Sequence, residues 1–414
     1  MGDSKYNFDA IVVGSGISGG WAAKELCEKG LKTLVVERGR NVEHIRDYPT
    51  APLNPWDFEY RLNNTIKERE KNPIKTAYGD AGSNLFFVND GEHPYIQETP
   101  FTWVRGYQVG GRSLTWGRQC YRLSDLDFEA NARDGVGVDW PVRYKDLAPW
   151  YDYVETYVGI SGQKENCPVL PDGNFLPPME MNCIESHFSQ QVRAHYKDRL
   201  VTIARTANLT RGWNGRGPCQ YRNLCARGCP FSGYFSSNAA TLPSAAATGN
   251  MTLLPDSIVT EVVYDVRTNR ASGIRVLNAH TRAVTEYTAR IIFLNASTIA
   301  TAALLLRSVS PRFPQGLGNS SGQVGRNLMD HFVGTGADAE HDGFADQYYS
   351  GRRPVGIYIP RFRNVGSGGQ RKDYIRGFGL QGKGGRAEWR QQGELGGFGK
   401  QFKEQLLGPG PWGL

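Results

Sequence analysis

Apolar residues occur in two uninterrupted runs near the start of the chain, at residues 10–13 and 34–36. A run that is apolar at every position predicts a strand buried on both faces of a sheet. The residues between these runs, 18–29, have helical spacing and end at Gly30, which favours helix termination. This order predicts a strand, a helix and a second strand that form one βαβ unit.

Later parts of the chain show the same two patterns. Helical spacing predicts helices at residues 186–199, 236–248 and 298–307, and a helix whose aromatic stripe includes Trp150. We expect that stripe to face a core. Alternating and apolar segments predict two strand pairs, 251–254 with 258–265 and 273–277 with 286–294. The apolar run at 290–294 leads into a helix, which is the pattern of a strand that returns to the first sheet.

The first predicted turn has the sequence Gly14-Ser-Gly16-Ile-Ser-Gly19. Gly14 permits a tight turn, Gly16 lets the backbone approach a pyrophosphate, and Gly19 lets the helix pack close to the strand. Ile17 and Ser18 open the helix, whose first N–H groups favour an anion. Because both strands and the helix are present, the motif indicates dinucleotide binding. The alternative is a glycine-rich turn in an unrelated α/β protein.

An acidic residue, Glu37, ends the second predicted strand and is followed by Arg38. A carboxylate at this place accepts hydrogen bonds from ribose hydroxyl groups. A 2′-phosphate would meet like charge there, so FAD or NAD is favoured over NADP. We therefore predict that Glu37 and Arg38 belong to the cofactor site.

Composition limits the classes of function. The chain has 414 residues, 39% of them hydrophobic, and most of its net charge of +7 comes from residues 341–414. It has no basic stripe with interleaved aromatic residues, so we expect no nucleic acid partner. It also has no apolar run of transmembrane length and no signal sequence before the first strand. We therefore expect a cytoplasmic protein, with co-export to the periplasm alongside a partner as the alternative.

Three further motifs occur at a characteristic spacing. They are residues 109–113, 293–297 and 324–331, with the sequences VGGRS, FLNAS and VGRNLMDH. Together with the first turn, they resemble the glucose–methanol–choline (GMC) flavoprotein oxidoreductases over roughly residues 6–335. Within that family the chain is most similar to bacterial FAD-dependent sugar dehydrogenases, such as the large subunits of glucoside 3-dehydrogenase and gluconate dehydrogenase.

The resemblance implies that the cofactor is FAD and that a hydride passes from a carbinol carbon to the flavin. The cofactor contacts implied beyond the first turn are Gly110, Gly111, Ser113, Val259, Ala296 and Ser297. Some relatives bond the flavin covalently to a histidine near the second glycine turn. Thr115 stands at that place in this chain, so we expect the FAD to be bound non-covalently.

Three of the seven cysteines, Cys219, Cys225 and Cys229, have the spacing C-x5-C-x3-C and are followed by Pro230. Three thiolates cannot complete a tetrahedral zinc site by themselves, whereas cysteine runs that end in C-x3-C-P bind iron–sulfur clusters. The sugar dehydrogenase relatives carry such a cluster at this spacing, which implies the same ligands here. Three buried thiols are the alternative. A cluster would pass electrons to a cytochrome, and a small partner subunit is implied as well.

The resemblance places the catalytic base in the C-terminal segment, as a histidine paired with a second His or an Asn. No histidine follows His341, so we expect the catalytic segment to be missing and the activity to be impaired, and the catalytic residues stay unknown. His331 ends the VGRNLMDH motif near the flavin. We interpret it as structural, with catalysis as the weaker alternative.

These inferences combine into an α/β fold, in which a Rossmann-like FAD-binding domain is interleaved with an α+β substrate domain. We expect the FAD-binding domain at residues 1–45, 101–150 and 236–335. We expect the substrate or cap domain at residues 46–100, 151–235 and 336–414.

The predicted function is oxidation of a sugar or polyol hydroxyl by an FAD-dependent dehydrogenase that passes electrons to an external acceptor. A catalytically incomplete flavin-binding fragment and an NAD-linked Rossmann reductase are the alternatives. The second glycine turn and the FLNAS motif favour a flavin enzyme over the NAD-linked reductase.

Overall fold

The computed structural model describes residues 6–330, 335–347, 354–366, 370–386, 397–407 and 410–414. The chain divides into two compact units, each built from two stretches of sequence. The first unit comprises Met1–Trp116 and Leu224–His331, and the second comprises Gly117–Asn223 and Phe332–Leu414. None of the helices in the described ranges is long and apolar enough to cross a membrane.

Helices and strands are numbered in chain order. The strands are β1 (Phe8–Val13), β2 (Thr33–Val36), β3 (Thr202–Ile203), β4 (Met251–Leu254), β5 (Ser257–Asp265), β6 (Arg270–Asn278), β7 (Val284–Leu294), β8 (Glu340–His341), β9 (Ile357–Ile359), β10 (Leu380–Gly382), β11 (Gly385–Arg386) and β12 (Trp412–Gly413). The helices are α1 (Ile17–Glu28), α2 (Ile66–Lys71), α3 (Pro73–Tyr78), α4 (Asp125–Phe128), α5 (Ala130–Asp134), α6 (Tyr144–Val158), α7 (Cys183–His195), α8 (Thr241–Ala247), α9 (Thr298–Arg307) and α10 (Gly399–Leu407).

A six-stranded sheet in the order β4-β2-β1-β7-β6-β5 is the centre of the first unit. Its strands β4, β2, β1 and β7 are parallel. Successive residues of β1 face opposite sides of the sheet. Ala10 and Val12 pack in one buried cluster with residues of α1 and α8, whereas Ile11 and Val13 pack in a second cluster that includes Leu304 of α9. The uninterrupted apolar run is thereby confirmed as a strand buried on both faces.

The strands β5, β6 and β7 form an antiparallel meander at one edge of this sheet. The end of β7 pairs in parallel with β1, which confirms the predicted return of residues 290–294 to the first sheet. The predicted pairing of residues 251–254 with 258–265 is wrong. Instead β4 pairs with β2, because its apolar residues Leu253 and Leu254 pack in the clusters on the two faces of the sheet.

Two helices begin at other residues than the sequence predicted. Helix α7 begins at Cys183, because the side chain of Asn182 accepts a hydrogen bond from the Glu185 N–H and the Glu185 carboxylate accepts one from the Asn182 N–H. Helix α8 begins only at Thr241. Residues 237–240 before it form turns, and Ser237 and Asn238 bond to the glycine-rich turns of the cofactor site.

Residues 46–100 and 224–235 lie in the first unit, and residues 117–150 lie in the second, so these divisions differ from the predicted domain boundaries. Tyr48 and Phe86 share a buried cluster with Leu114, which ties the stretch 46–100 to the second glycine turn. The proline-rich composition of this stretch gave no periodic signal from which its few buried side chains could be predicted. Which unit binds which ligand remains a prediction.

Two three-stranded sheets, β10-β9-β3 and β11-β12-β8, belong to the second unit. This unit also holds a buried ion pair. Nε and Nη2 of Arg122 donate to the two carboxylate oxygens of Glu155 on α6 at 2.9 and 2.5 Å. The side chains of Arg122 and Glu155 are only 3% and 8% exposed, while that of Asp152, a second partner of Arg122, is 51% exposed.

The aromatic stripe of α6 was predicted to face a core, but among its residues only Val158 is buried. Trp150 is 65% exposed and Val154 is 37% exposed. The buried residues of the helix are Glu155 and Val158, because the face that turns inward is the one whose carboxylate pairs with Arg122. Helical spacing indicated the helix but not which face the ion pair would bury.

Replacing Glu155 with Ala should lower the free energy of unfolding by about 3 kcal/mol, because it leaves the Arg122 charge buried without its main partner. Asp152→Ala is the matched control and should cost about 0–1 kcal/mol, since that carboxylate is half exposed. Urea denaturation of the two variants would measure the difference. Equal losses would contradict the dominance of the buried pair.

Candidate cofactor site

A cavity of about 1360 Å³ opens at the carboxyl ends of β1, β2 and β7 in the first unit. Ligands of open α/β folds bind at this edge of the sheet. The predicted cofactor residues that line the cavity are Gly14, Gly16, Ile17, Ser18, Glu37, Arg38, Gly111, Ser113, Val259, Ala296 and Ser297. Gly19 and Gly110 lie behind this lining, where they permit close contacts with other parts of the unit.

The three glycines of the first turn have different surroundings. Gly14 has a φ of +97°, and a Cβ atom there would lie 2.4 Å from the carbonyl oxygen of Asn295. A Cβ atom at Gly19 would lie 1.8 Å from the carbonyl oxygen of Gly14. In contrast, no described atom beyond Gly16 and its two chain neighbours lies within 4 Å of the position of a Cβ atom at Gly16. A side chain at Gly16 would therefore enter the cavity instead of the protein.

Helix α1 begins at the wall of the cavity. Its N-cap is Gly16, which has no side chain to accept hydrogen bonds from the first N–H groups of the helix. Ile17 and Ser18 belong to this first turn and line the cavity. The N–H groups and the positive end of the helix dipole therefore suit an anionic ligand such as a pyrophosphate.

Glu37 lies at the end of β2, and its carboxylate is held by Ser15. The Ser15 N–H and hydroxyl donate to Oε2 of Glu37 at 3.0 and 2.7 Å. Burial raises the pKa of Glu37 above its ordinary range, and the hydrogen bonds from Ser15 and Gly39 oppose this rise. Sequence reasoning missed Ser15, although its place between two motif glycines was a usable signal.

The second glycine turn is bonded to the first. The N–H of Gly110 donates to the hydroxyl oxygen of Ser15 at 3.0 Å. The Ser113 hydroxyl donates to the Gly110 carbonyl oxygen at 2.6 Å. Gly110 and Gly111 have φ values of +87° and +48°, a region that favours glycine. The structure thus brings together residues from two predicted motifs that lie far apart in sequence.

The residues after β7 complete the edge of the cavity. Ala296 and Ser297 line it immediately before α9, and Val259 lines it from β5. Ser297 has a φ of +71°, which is uncommon for a residue with a side chain. The side-chain oxygen of Asn295 is buried there and has no hydrogen-bond partner among the described residues. A ligand with a suitable donor would satisfy it.

Residues 92–107 supply a wall of the cavity that sequence reasoning missed. Arg105 is 6% exposed, and its guanidinium carbon lies 4.3 Å from the centre of the Trp103 ring. The guanidinium carbon of Arg38 lies 3.8 Å from the centre of the Tyr107 ring. The alternation of aromatic residues with Arg105, just before the second glycine turn, was the available signal. These two cations also favour an anionic ligand.

These residues fit FAD. The open space beside Gly16, the free N-terminal turn of α1 and the unpartnered oxygen of Asn295 are what a bound dinucleotide would fill or satisfy. Glu37 lies where a carboxylate meets the ribose hydroxyl groups of such a ligand. The arrangement can therefore bind the cofactor along two linked turns.

The family model described as GMC oxidoreductase matches residues 8–333 of the chain. The chain belongs to the GMC oxidoreductase family. This confirms the family resemblance and the predicted Rossmann-like α/β fold. GMC oxidoreductases typically bind FAD and act on CH–OH groups.

Curated relatives of this GMC chain include three enzymes at low identity. It is 25% identical to the fructose dehydrogenase large subunit of Gluconobacter japonicus over 80% of the chain and 60% of that protein. It is 25% identical to 2-methyl-1,2-propanediol dehydrogenase of Mycolicibacterium austroafricanum over 90% of the chain and 63% of that protein. It is 27% identical to 6'''-hydroxyparomomycin C oxidase of Streptomyces lividus over 82% of the chain and 58% of that protein. The chain thus spans about three fifths of the length of these relatives.

The predicted iron–sulfur cysteines of this GMC chain divide between the two units. Cys219 belongs to the second unit, and Cys225 and Cys229 belong to the first. The N–H of Gly233 donates to Sγ of Cys229 at 3.3 Å. No group of three His, Cys, Asp or Glu side chains that could hold a metal ion occurs within the described part of the chain. The iron–sulfur cluster therefore stays a prediction.

Two other residues of the GMC motifs have different outcomes. His331, the weak catalytic candidate, lies outside the described residues. Thr115 is described, and its buried hydroxyl has no hydrogen-bond partner among the described residues. Non-covalent binding of FAD stays a prediction.

Gly16→Val should abolish FAD binding and leave the chain folded, because the new side chain enters the cavity where the pyrophosphate would lie. The matched variant Gly14→Ala should instead destabilise the fold, since its Cβ atom meets the Asn295 carbonyl oxygen. Flavin content after purification and thermal unfolding would separate the two effects. Stoichiometric FAD in the Gly16→Val variant would contradict the site assignment.

FAD affinity should fall as the pH falls through the pKa of Glu37. Burial raises this pKa, and ribose hydroxyl groups that donate to the carboxylate favour its ionised form, so binding is fully supported only above the pKa. Glu37→Gln should bind FAD about tenfold more weakly at neutral pH and lose this pH dependence.

Titrations of flavin fluorescence across the acidic range would test the role of Glu37. The curves for the parent chain and Glu37→Gln should converge at low pH, where the parent carboxyl is protonated. Parallel curves would mean that another group causes the pH dependence.

Proposed function

We propose that this GMC chain is the flavin-binding part of a dehydrogenase that oxidises a sugar or polyol hydroxyl to a carbonyl and passes the electrons to an external acceptor. The observation that carries the proposal is that residues of both glycine turns and Glu37 line the same cavity. The GMC family acts on CH–OH groups, and the relatives of this chain include a fructose dehydrogenase large subunit and a 2-methyl-1,2-propanediol dehydrogenase.

The residues of this chain would bind and orient the cofactor. The α1 N-terminus and the Gly16 backbone would hold the pyrophosphate, and Glu37 would accept hydrogen bonds from the adenosine ribose. Gly111 and Ser113 would line the flavin. The chemistry that a bound FAD supplies is acceptance of a hydride from a carbinol carbon.

We also propose a role for the three cysteines of the C-x5-C-x3-C run. If they hold an iron–sulfur cluster, electrons would leave towards a cytochrome, with a small subunit as a further partner. One relative is the large subunit of a fructose dehydrogenase, which supports a multi-subunit assembly. Between Cys225 and Cys229, the buried Arg227 donates to the carbonyl oxygen of Leu53 at 2.9 Å, which holds this part of the run within the first unit. We propose two possible locations for the protein, which are the cytoplasm and, after export together with that subunit, the periplasm.

Anaerobic reduction of the FAD-loaded chain would test the proposed function. We expect fructose, gluconate or a 1,2-diol to bleach the flavin absorbance, and NADH not to bleach it. Acid precipitation should release the flavin, because Thr115 cannot bond to it covalently.

The alternatives give different results in the same experiment. Rapid bleaching by NADH and none by polyols would indicate an NAD-linked reductase. Stable FAD binding without bleaching by any alcohol would indicate a flavin-binding protein without catalysis. Iron and acid-labile sulfide content of the anaerobically purified chain would decide the cluster proposal separately.

A further inference from the structure

Ser237, which lies before α8, bonds to both glycine turns at once. Its N–H donates to the hydroxyl oxygen of Ser113 at 3.0 Å, and its own hydroxyl donates to the carbonyl oxygen of Gly16 at 3.0 Å. Ser237 and Ser113 are fully buried, with 0% exposure. Their hydrogen bonds are therefore protected from competition with water.

The neighbouring residue, Asn238, binds the backbone just before the second turn. Its side-chain nitrogen donates to the carbonyl oxygens of Val42 and Val109 at 2.8 and 3.1 Å. Its side-chain oxygen occupies the space beside Gly110, where a Cβ atom would lie only 1.7 Å away. The segment 237–238 is thus fitted against the second turn by contacts that only a glycine at position 110 allows.

A glycine of helix α1 allows the same segment to pack closely against the helix. A Cβ atom at Gly20 would lie 2.5 Å from the hydroxyl oxygen of Thr241 and 2.8 Å from that of Ser237. Gly20 lies beyond the dinucleotide-binding motif and does not line the cavity. Its lack of a side chain is explained by the close approach of Ser237 to the first turn of α1.

We propose that Ser237 is a positioning residue that sets the spacing between the first glycine turn, which would bind the pyrophosphate, and the second glycine turn, which would line the flavin. This inference rests on the proposed function, in which FAD spans both turns. A ligand that contacts only the first turn and Glu37, such as ADP, does not depend on that spacing. Ser237 therefore contributes to the binding of the dinucleotide more than to the binding of its ADP half.

The structure also indicates that Ser237 can be changed without unfolding the site. The Gly16 carbonyl oxygen accepts a second hydrogen bond, from the N–H of Gly20 at 2.8 Å. Removing the Ser237 hydroxyl therefore takes away one link but does not leave that buried oxygen without a partner. The Ser237 N–H still donates to Ser113.

The test compares FAD and ADP binding to the parent chain, to Ser237→Ala and to Ser308→Ala. Ser308 is the matched control, because it is also buried and its hydroxyl accepts from Val262 N–H and donates to the Leu304 carbonyl oxygen, away from both turns. Loss of one neutral hydrogen bond should weaken FAD binding to Ser237→Ala about three- to tenfold, and ADP binding less than about twofold. Ser308→Ala should leave the ratio of the two affinities unchanged.

A second variant tests the same link from its other end. Ser113→Ala removes the acceptor of the Ser237 N–H and should also lower the FAD-to-ADP affinity ratio. The double variant with both Ser237→Ala and Ser113→Ala should lose less FAD-binding free energy than the sum of the two single losses, because both changes break the same connection between the turns. If Ser237→Ala does not fold, Ser237→Cys, which replaces the hydroxyl group with a weaker donor, takes its place in the comparison of FAD and ADP.

Three results would overturn the proposal. An unchanged FAD affinity in Ser237→Ala would show that the link has no role in binding. Equal losses for FAD and ADP would limit Ser237 to supporting the first turn. If the parent chain binds ADP but not FAD, the proposed flavin function fails, and with it the role of the spacing.

Discussion

The cofactor site of this chain depends on a chain of buried hydrogen bonds between hydroxyl groups and backbone. Ser15 joins the Glu37 carboxylate to the N–H of Gly110, and Ser113 and Ser237 continue the connection back to the Gly16 carbonyl oxygen. The hydroxyl groups of Ser15 and Ser113 each donate one hydrogen bond and accept another, so the loss of either would leave its neighbours less well satisfied. The two turns are therefore held in one fixed arrangement.

Close backbone contacts make that arrangement possible. Gly14, Gly19 and Gly110 each face an oxygen atom at a distance that a Cβ atom could not tolerate. Gly16 differs, since it faces the open cavity. The glycines of one motif thus serve two purposes, because most of them allow the protein to pack against itself and one leaves room for a ligand. The hydrogen bonds and the glycines depend on each other.

Electrostatics complete the site. The buried Glu37 carboxylate lies near a cavity that is also lined by Arg38 and Arg105, and the α1 N-terminus adds partial positive charge. The Glu37 carboxylate is a negative group that suits hydroxyl donors, whereas the two arginines and the α1 N-terminus form a positive region that suits phosphate oxygens. The arrangement is what a dinucleotide needs, and it agrees with the membership of the chain in the GMC family.

The sequence by itself determined the βαβ unit, the return of β7 to the sheet and part of the cavity lining, but not the wall formed by residues 92–107. These features depend on local patterns, namely apolar runs and glycines at fixed spacing. Only the tertiary structure decided that β4 pairs with β2, that α6 buries Glu155 instead of its aromatic stripe, and that Ser237 joins the two turns. Such contacts join residues far apart in sequence, and a serine or a buried acid carries no periodic signal of its partner.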